Sequence, residues 1–331
     1  MPVTLKDIAE RAKVTAATVS MVINNKPNIS EETREKVLAI ARELNYYPNA
    51  IARGLATSKA NAIGVIVPNL ASSYVVRILQ GIKSTNRDID YTVQLFDTIG
   101  QKETETQLFQ RLARERRIDG AILIGPVCSE AELRVFKDEH VPCVVIARKC
   151  DILDSVYVNN TRGAYDATEY LIGKGHRNIA CIVCHKKNLP MDDRLEGYKQ
   201  SLSSHSIPFT DDLVFEVADD TMEEGKDVFQ KIIASPLKPS AVFVPAGDMV
   251  AIGIIKTAIS GGMSVPDDLA VVGYDDLPAA EVVEPTLTTV RQPKLEMGDN
   301  AIDLIIDKIE GRESEIKDIE LPTKFICRNS A

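Results

Sequence analysis

Two stretches of this 331-residue chain carry side chains whose type and spacing suit chemistry. The first is Cys181-Ile182-Val183-Cys184-His185, the C-x-x-C-H spacing used to attach a c-type haem. Attachment follows export, and the start MPVTLKD has no apolar run of an export signal, so a haem is not expected. No second cysteine pair stands at zinc-binding spacing, so no metal is expected either. No P-loop, G-x-G-x-x-G or Ser-His-Asp order stands out, so neither an enzyme nor a cofactor is expected. The second stretch is Thr15 to Lys26, which is suited to a polyanion. Thr15 caps a short helix whose apolar face is Val19, Val22 and Ile23. Its outward positions near the start are Ala16, Ala17, Ser20 and Met21. Ala and Met cannot make bidentate hydrogen bonds, but they touch thymine methyls or leave room for reading DNA shape. Thr15, Thr18, Ser20, Asn24, Asn25 and Lys26 are suited to phosphate oxygens.

The flanking pattern positions that helix. Thr4 with Asp7 forms a capping-box-like start for a helix with Leu5, Ile8, Ala9 and Ala12 on one face. Lys13-Val14-Thr15 is a tight connection, and Ser30 caps a third helix reaching Leu44. Two short helices joined by about three residues, plus a third, predict a helix-turn-helix. A plain three-helix packing module is the alternative that pattern alone leaves open.

Charge divides the chain at the same place. Residues 1–60 hold 9 Lys and Arg against 6 Asp and Glu; the remainder holds 30 against 42, within a total formal charge of −9. Nucleic-acid contact is therefore confined to the head, because the acidic body repels a polyanion. No run approaches a membrane span, and scattered cysteines without an export signal point to the cytoplasm.

From Ala62 onward, apolar β-rich runs alternate with amphipathic helices. Runs at 62–68, 91–96, 120–124 and 143–146 predict strands, with helices between. The alternation restarts near Gly163, with strands at 179–183, 213–217, 241–244 and 270–273. Two such halves predict an α/β body of two doubly wound parallel sheets, with a ligand cleft outside the carboxyl ends of the strands.

Thr4-Leu5-Lys6-Asp7-Ile8-Ala9, Val14 to Ser20, Glu32-Thr33-Arg34 and Leu44 to Asn49 closely resemble the LacI/GalR family of bacterial transcriptional repressors, in the same order and spacing. The resemblance continues through Gly175 to Ala180, Arg194-Leu195-Glu196-Gly197-Tyr198, Val265 to Asp276 and Pro285 to Val290. It implies a periplasmic-binding-protein-like body, with crossings near Asn159–Arg162, Thr289–Arg291 and Glu320–Thr323. The expected domains are a head at 1–47, a hinge at 48–60 and an effector-binding, dimerising body at 61–331. Lobe one is expected over about 61–160 plus 291–320, and lobe two over about 161–290 plus 321–331.

By the same resemblance, Thr4, Tyr46 and Asn49 join the DNA contacts, and Ala52 and Arg53 sit against the minor-groove wall and phosphates. Leu55 would be a wedge that kinks the duplex. Asn49 can cap a helix of about two turns, too short to be stable without a partner. The resemblance implies a homodimer on a pseudo-palindromic operator in double-stranded DNA. It also implies a carbohydrate-like effector held by Arg194 and Asp275, with Tyr74 on the floor and Asp97, Arg148, His185 and Gly247 nearby.

The chain departs from the family pattern at Ala147-Arg148, Asn159-Asn160, Gly247-Asp248 and Cys184-His185, which removes acceptors and adds bulk where a hexose would sit. Asp248 and Asp276 are expected to cap helices or fix turns. Two other readings compete. A solute-binding protein needs export and has no use for residues 1–60. A catabolite-control-type regulator, using a phosphorylated carrier protein, has Arg where this chain has Glu284.

Overall fold

The computed structural model describes residues 3–24, 26–46, 59–84, 91–98, 104–125, 129–184 and 189–331. It divides into two compact units, residues 1–61 and 62–331.

The head unit holds three helices, Leu5–Ala12, Ala16–Ile23 and Glu31–Glu43. Their starts follow the capping chemistry of the sequence. The Asp7 carboxylate accepts from the Thr4 backbone N–H and hydroxyl, each at 2.7 Å. Thr15 Oγ1 accepts from Thr18 N at 3.1 Å, and Ser30 Oγ accepts from Thr33 N at 3.4 Å. Ile8, Ala12, Val19, Val22, Val37 and Ala41 close a small core.

The body unit is built on two six-stranded sheets. Sheet one contains β1 (Ala62–Val67), β2 (Thr92–Asp97), β3 (Gly120–Ile124), β4 (Cys143–Ile146), β5 (Asp154–Val158) and β11 (Asp318–Leu321), in the order β11-β5-β4-β3-β1-β2. Sheet two contains β6 (Ile179–Cys184), β7 (Val214–Val217), β8 (Ala241–Phe243), β9 (Ala270–Asp275), β10 (Thr288–Arg291) and β12 (Lys324–Ile326), in the order β12-β10-β9-β8-β6-β7. All pairings are parallel except β10 with β12. The doubly wound expectation holds. Continuous apolar runs such as β1 and β3 are buried at every position, as strands covered on both faces must be.

Four strands escaped the apolar-run reading. β10 and β11 overlap expected chain crossings, and β5 and β12 directly flank them. They are short and partly polar, and tertiary pairing makes them strands. The buried Asp154 carboxylate at the start of β5 accepts from Lys317 N at 2.7 Å and pairs with Lys308 Nζ at 3.0 Å. The first contact ties β5 to the segment entering β11, and the second ties it to helix Lys294–Ile309.

Glycines set how closely the covering helices approach. Helix Ser73–Ser84 crosses helix Lys294–Ile309 at Gly81 and Gly298, where an added Cβ would overlap the backbone carbonyls of Leu295 and Ile78. Gly197 does the same for helices Asn160–Gly173 and Leu189–Ser204, against Thr161 O.

Candidate functional site

The carboxyl ends of both sheets open onto one cavity of about 400 Å³. Sheet one contributes Pro68 after β1, Gly125 after β3 and Ala147-Arg148 after β4. Sheet two contributes Cys184 at the end of β6, Asp219 and Asp220 after β7, Ala246 after β8 and Asp275 at the end of β9. Helices supply Tyr74 from one side and Met191 and Arg194 from the other.

Arg194 is 8% exposed and held on four sides. Its Nε donates to Asn160 Oδ1 at 2.8 Å and its Nη1 to Pro245 O at 2.8 Å. Its guanidinium lies 3.8 Å from the centre of the Tyr274 ring, and Nη2 is 4.0 Å from Asp275 Oδ1. Tyr274 OH also donates to Asn160 Oδ1, at 3.2 Å. Burial pushes the Tyr274 phenol up to about 12, so it stays a donor throughout the physiological range.

Asp275 has φ 114°, a left-handed conformation that strains a side chain with a Cβ. Gln292 Nε2 donates to its Oδ1 at 2.5 Å, and Lys294 Nζ donates to its carbonyl oxygen. Burial lowers the Lys294 pKa, while Asp275, Asp248 and Asp276 oppose that shift. Asn160 lies in the first crossing, between β5 and β6, and Gln292 and Lys294 directly follow β10 at the second. The crossings themselves therefore grip the two charged groups that face the cavity.

The sequence-predicted effector residues sort as follows. Tyr74, Arg148, Arg194 and Asp275 line the cavity. Asp97 does not; its Oδ2 accepts from Leu70 N at 3.1 Å and fixes the loop after β1. Gly247 is not on the wall either, because the Asp220 carboxylate stands in front of it. His185 lies outside the described residues. Asp248 is fully buried, accepting from Leu277 N at 2.7 Å and Thr289 Oγ1 at 2.6 Å. Asp276 pairs with Arg291 and Arg328.

Sequence reasoning passed over Asp219 and Asp220. Their position after a predicted strand was the available signal, since ligands in such sheets sit at strand ends. Burial and the charge of Asp275 push the Asp220 carboxyl up to about 7. The neutral form is thus favoured in the folded protein relative to the unfolded chain. Its stabilising share is complete below about pH 4 and is lost as pH climbs through about 7. We expect the ligand-free protein to lose on the order of 1–2 kcal/mol between pH 5 and 8, and Asp220→Asn to flatten that slope. Urea midpoints at the two pH values measure both effects; equal slopes for the two proteins would contradict the assignment.

The C-x-x-C-H stretch offers no site among the described residues. Cys181 is fully buried in the lobe-two core, and burial raises its thiol pKa. Cys184 Sγ donates to Ala218 O at 3.5 Å. No group of three His, Cys, Asp or Glu among the described residues is arranged to hold a metal.

On the head, helix Ala16–Ile23 turns Val19 and Val22 inward and leaves Ala17 and Met21 exposed, one turn apart on the same face. Ala16, Thr18 and Ser20 are half-buried beside them. The Thr15 and Thr18 hydroxyls bond each other at 2.9 Å, and Asn24 Nδ2 donates to Ser20 O at 2.8 Å. Lys26 is exposed, and its carbonyl accepts from Arg34 Nη2 at 2.9 Å. Thr4 is exposed at the start of the first helix, and Tyr46 packs against the head core while remaining partly exposed. Asn49, Ala52, Arg53 and Leu55 lie outside the described residues.

Comparison with known proteins bears on both units. Residues 4–49 match the bacterial regulatory proteins of the lacI family, and residues 168–331 match the periplasmic-binding-protein-like domain. The chain is 33% identical over 331 residues to the HTH-type transcriptional repressor PurR of Vibrio parahaemolyticus, covering 99% of this chain and 98% of that protein. It is 31% identical to catabolite control protein A of Priestia megaterium over 339 residues, covering 100% and 99%. Among solved structures, the lac repressor dimer bound to operator and the anti-inducer ONPF superposes with a TM-score of 0.87 at 26% identity, covering 100% of this chain and 99% of that one. The transcriptional regulator CelR in complex with cellobiose superposes with a TM-score of 0.73 at 27% identity, covering 99% and 100%. The chain belongs to the LacI family of bacterial regulatory proteins and is a DNA-binding transcriptional repressor that answers to a small molecule.

Proposed function

We propose that a polar, carbohydrate-like metabolite binds between the two lobes and sets operator affinity through the crossings. The observation that carries this reading is the grip of Asn160 on Arg194 and of Gln292 and Lys294 on Asp275. A ligand drawn to Arg194 and Asp275 pulls on the segments about which the lobes turn. It thereby favours one lobe arrangement over another, which is what coupling between sites requires. The chain works as a cytoplasmic homodimer, two heads meeting the two halves of a pseudo-palindrome. It performs no catalysis. The functional divisions are a head at 1–47, a hinge at 48–60 and a two-lobed body at 61–331. Within the hinge, Leu55 acts as a minor-groove wedge flanked by Ala52 and Arg53, with Asn49 at its start.

In the head, the face of Ala17 and Met21 meets base edges, supported by Ala16 and Ser20. Thr4, Thr15, Thr18, Asn24, Lys26 and Tyr46 contact the backbone. Ala17→Glu puts a carboxylate against the polyanion at an exposed position that takes no part in the head core. We expect operator affinity to fall at least a hundredfold, with the melting temperature unchanged. A site selection from random DNA followed by titration of the selected duplex tests the whole reading. A folded protein that enriches no sequence, or an Ala17→Glu variant that binds as the wild type does, would overturn it.

A further inference from the structure

The cavity is divided by charge. Lobe two presents Asp219, Asp220 and Asp275, whereas Arg148 comes from lobe one. Arg194, the lobe-two cation, is already committed to Asn160, Pro245 O and the Tyr274 ring. Asp220 has no such companion: its Oδ1 accepts from Val250 N at 3.1 Å, and no lysine or arginine among the described residues forms an ion pair with it. A Cβ at Gly247 would fall 2.5 Å from each Asp220 carboxylate oxygen, so the carboxylate occupies the space that any other residue at 247 would fill. The carboxylate is thus held at the cavity wall by backbone donors, with its negative charge unmatched.

Resting on the effector reading above, we infer that the effector carries a cationic amine, and that Asp220 receives it at the lobe-two wall of the cleft. Closing a lone carboxylate into a cleft is costly unless a proton or a cation joins it. An ammonium group satisfies both the charge and the free acceptor positions. A neutral hydroxyl supplies only one donor and leaves the charge. The class that fits is an amino-substituted polar metabolite, of which an amino sugar is the nearest carbohydrate.

The charged groups around Asp220 agree with this. Asp219 on the same loop, Asp275 at the end of β9 and Asp248 at the start of helix Asp248–Ser260 are acidic. Arg194 on helix Leu189–Ser204 has Asp275, not Asp220, as its carboxylate neighbour, with Nη2 4.0 Å from Asp275 Oδ1, and Arg148 stands on the other lobe. Burial, then the charges of Asp275 and Asp219, raise the Asp220 pKa to about 7, against the N–H groups of Val250 and Met249. Near neutrality the empty site therefore carries part of a proton. A binding ammonium drives that proton into solvent.

The test uses the full chain and matched pairs: glucosamine and glucose, galactosamine and galactose, mannosamine and mannose. Melting-temperature shifts and titration calorimetry at pH 7, in buffers of differing ionisation enthalpy, give affinity and protons released. At least one amine is expected to bind tenfold or more tightly than its hydroxyl twin, with release of a fraction of a proton. In Asp220→Asn, checked for folding by circular dichroism, that ratio is expected to collapse toward one. A hydroxyl twin that binds as well as its amine in the wild-type chain overturns the inference. So does an amine preference that survives in Asp220→Asn, or a set in which no amine shifts the melting temperature. A neutral sugar whose binding alters operator affinity, and is lost in Arg194→Ala, overturns the amine alone and leaves the cleft reading standing.

Discussion

Arg194→Ala is expected to make operator binding indifferent to the effector. The side chain holds Asn160 and Pro245 O at 2.8 Å each and stacks on Tyr274, so its spare Nη2 reaches the cavity in a fixed direction. Hydrogen bonds from a charged donor are worth about 1.5–3 kcal/mol each, so losing one or two lowers effector affinity about ten- to a thousandfold or more. The second consequence is mechanical. Without the guanidinium, the first crossing loses its polar link to helix Leu189–Ser204, and ligand held elsewhere in the cavity no longer pulls on Asn160. Pro245 O is left buried without its donor, which costs about 1–3 kcal/mol. That loss is tolerable for a protein with a typical stability of about 5–15 kcal/mol. Anisotropy titrations of labelled operator, with and without effector, should give two curves for the wild type and one for the variant. Two separated curves from a folded Arg194→Ala protein would mean the effector signal travels by another route.

Gly298→Val should unfold lobe one more readily than any surface change. A Cβ at 298 would overlap Ile78 O and lie 2.8 Å from Ile82 N, and both atoms are backbone, so neither can turn aside. Helices Ser73–Ser84 and Lys294–Ile309 must then part, loosening Ile78, Ile82, Met297, Ala301, Ile302 and Ile305, all of which belong to one core. Overpacking ordinarily costs about 1–3 kcal/mol, and a clash with backbone belongs at or beyond the upper end. A loss of about 3 kcal/mol corresponds to roughly 6–12 °C in a domain of this size. Denaturation followed by circular dichroism measures it, and Gly298→Ala should show the same sign with a smaller shift. The head should hold its structure, because its core draws only on residues between Val3 and Tyr46. An unchanged midpoint in Gly298→Val would show that the helices have room to spare.

Much of this was legible in the sequence, and the reasons are local. Thr4, Thr15 and Ser30 announce their helices because a cap depends on residues three positions away. β1 and β3 announce themselves because strands covered on both faces need unbroken apolar runs. Arg194 and Asp275 came from resemblance, and the structure places both on the cavity wall. Asp97 misled because a carboxylate at a strand end looks available; only the folded loop brings Leu70 N to it. Asp219 and Asp220 were silent for the opposite reason. Nothing within a few residues of them sets their role, which depends on Gly247 and the start of helix Asp248–Ser260 far along the chain. The buried Lys294 likewise reads locally as an ordinary surface lysine after a proline.

The path of the chain through its two sheets has a further consequence, for synthesis. β1 to β5 are made early, but the helix that packs against β3, β4 and β5, Lys294–Ile309, comes only after all but the last strand of lobe two. At about 5–20 residues per second, a ribosome leaves Ile63, Ile78, Ile122 and Val144 without that cover for on the order of ten seconds. The head, whose core is complete within its own three helices, is finished long before. The nascent chain therefore passes through a stage in which a folded DNA-reading module trails a sticky, half-built lobe. The yield of active repressor in a cell then depends on how well that interval is shielded, and not on the stability of the finished fold alone.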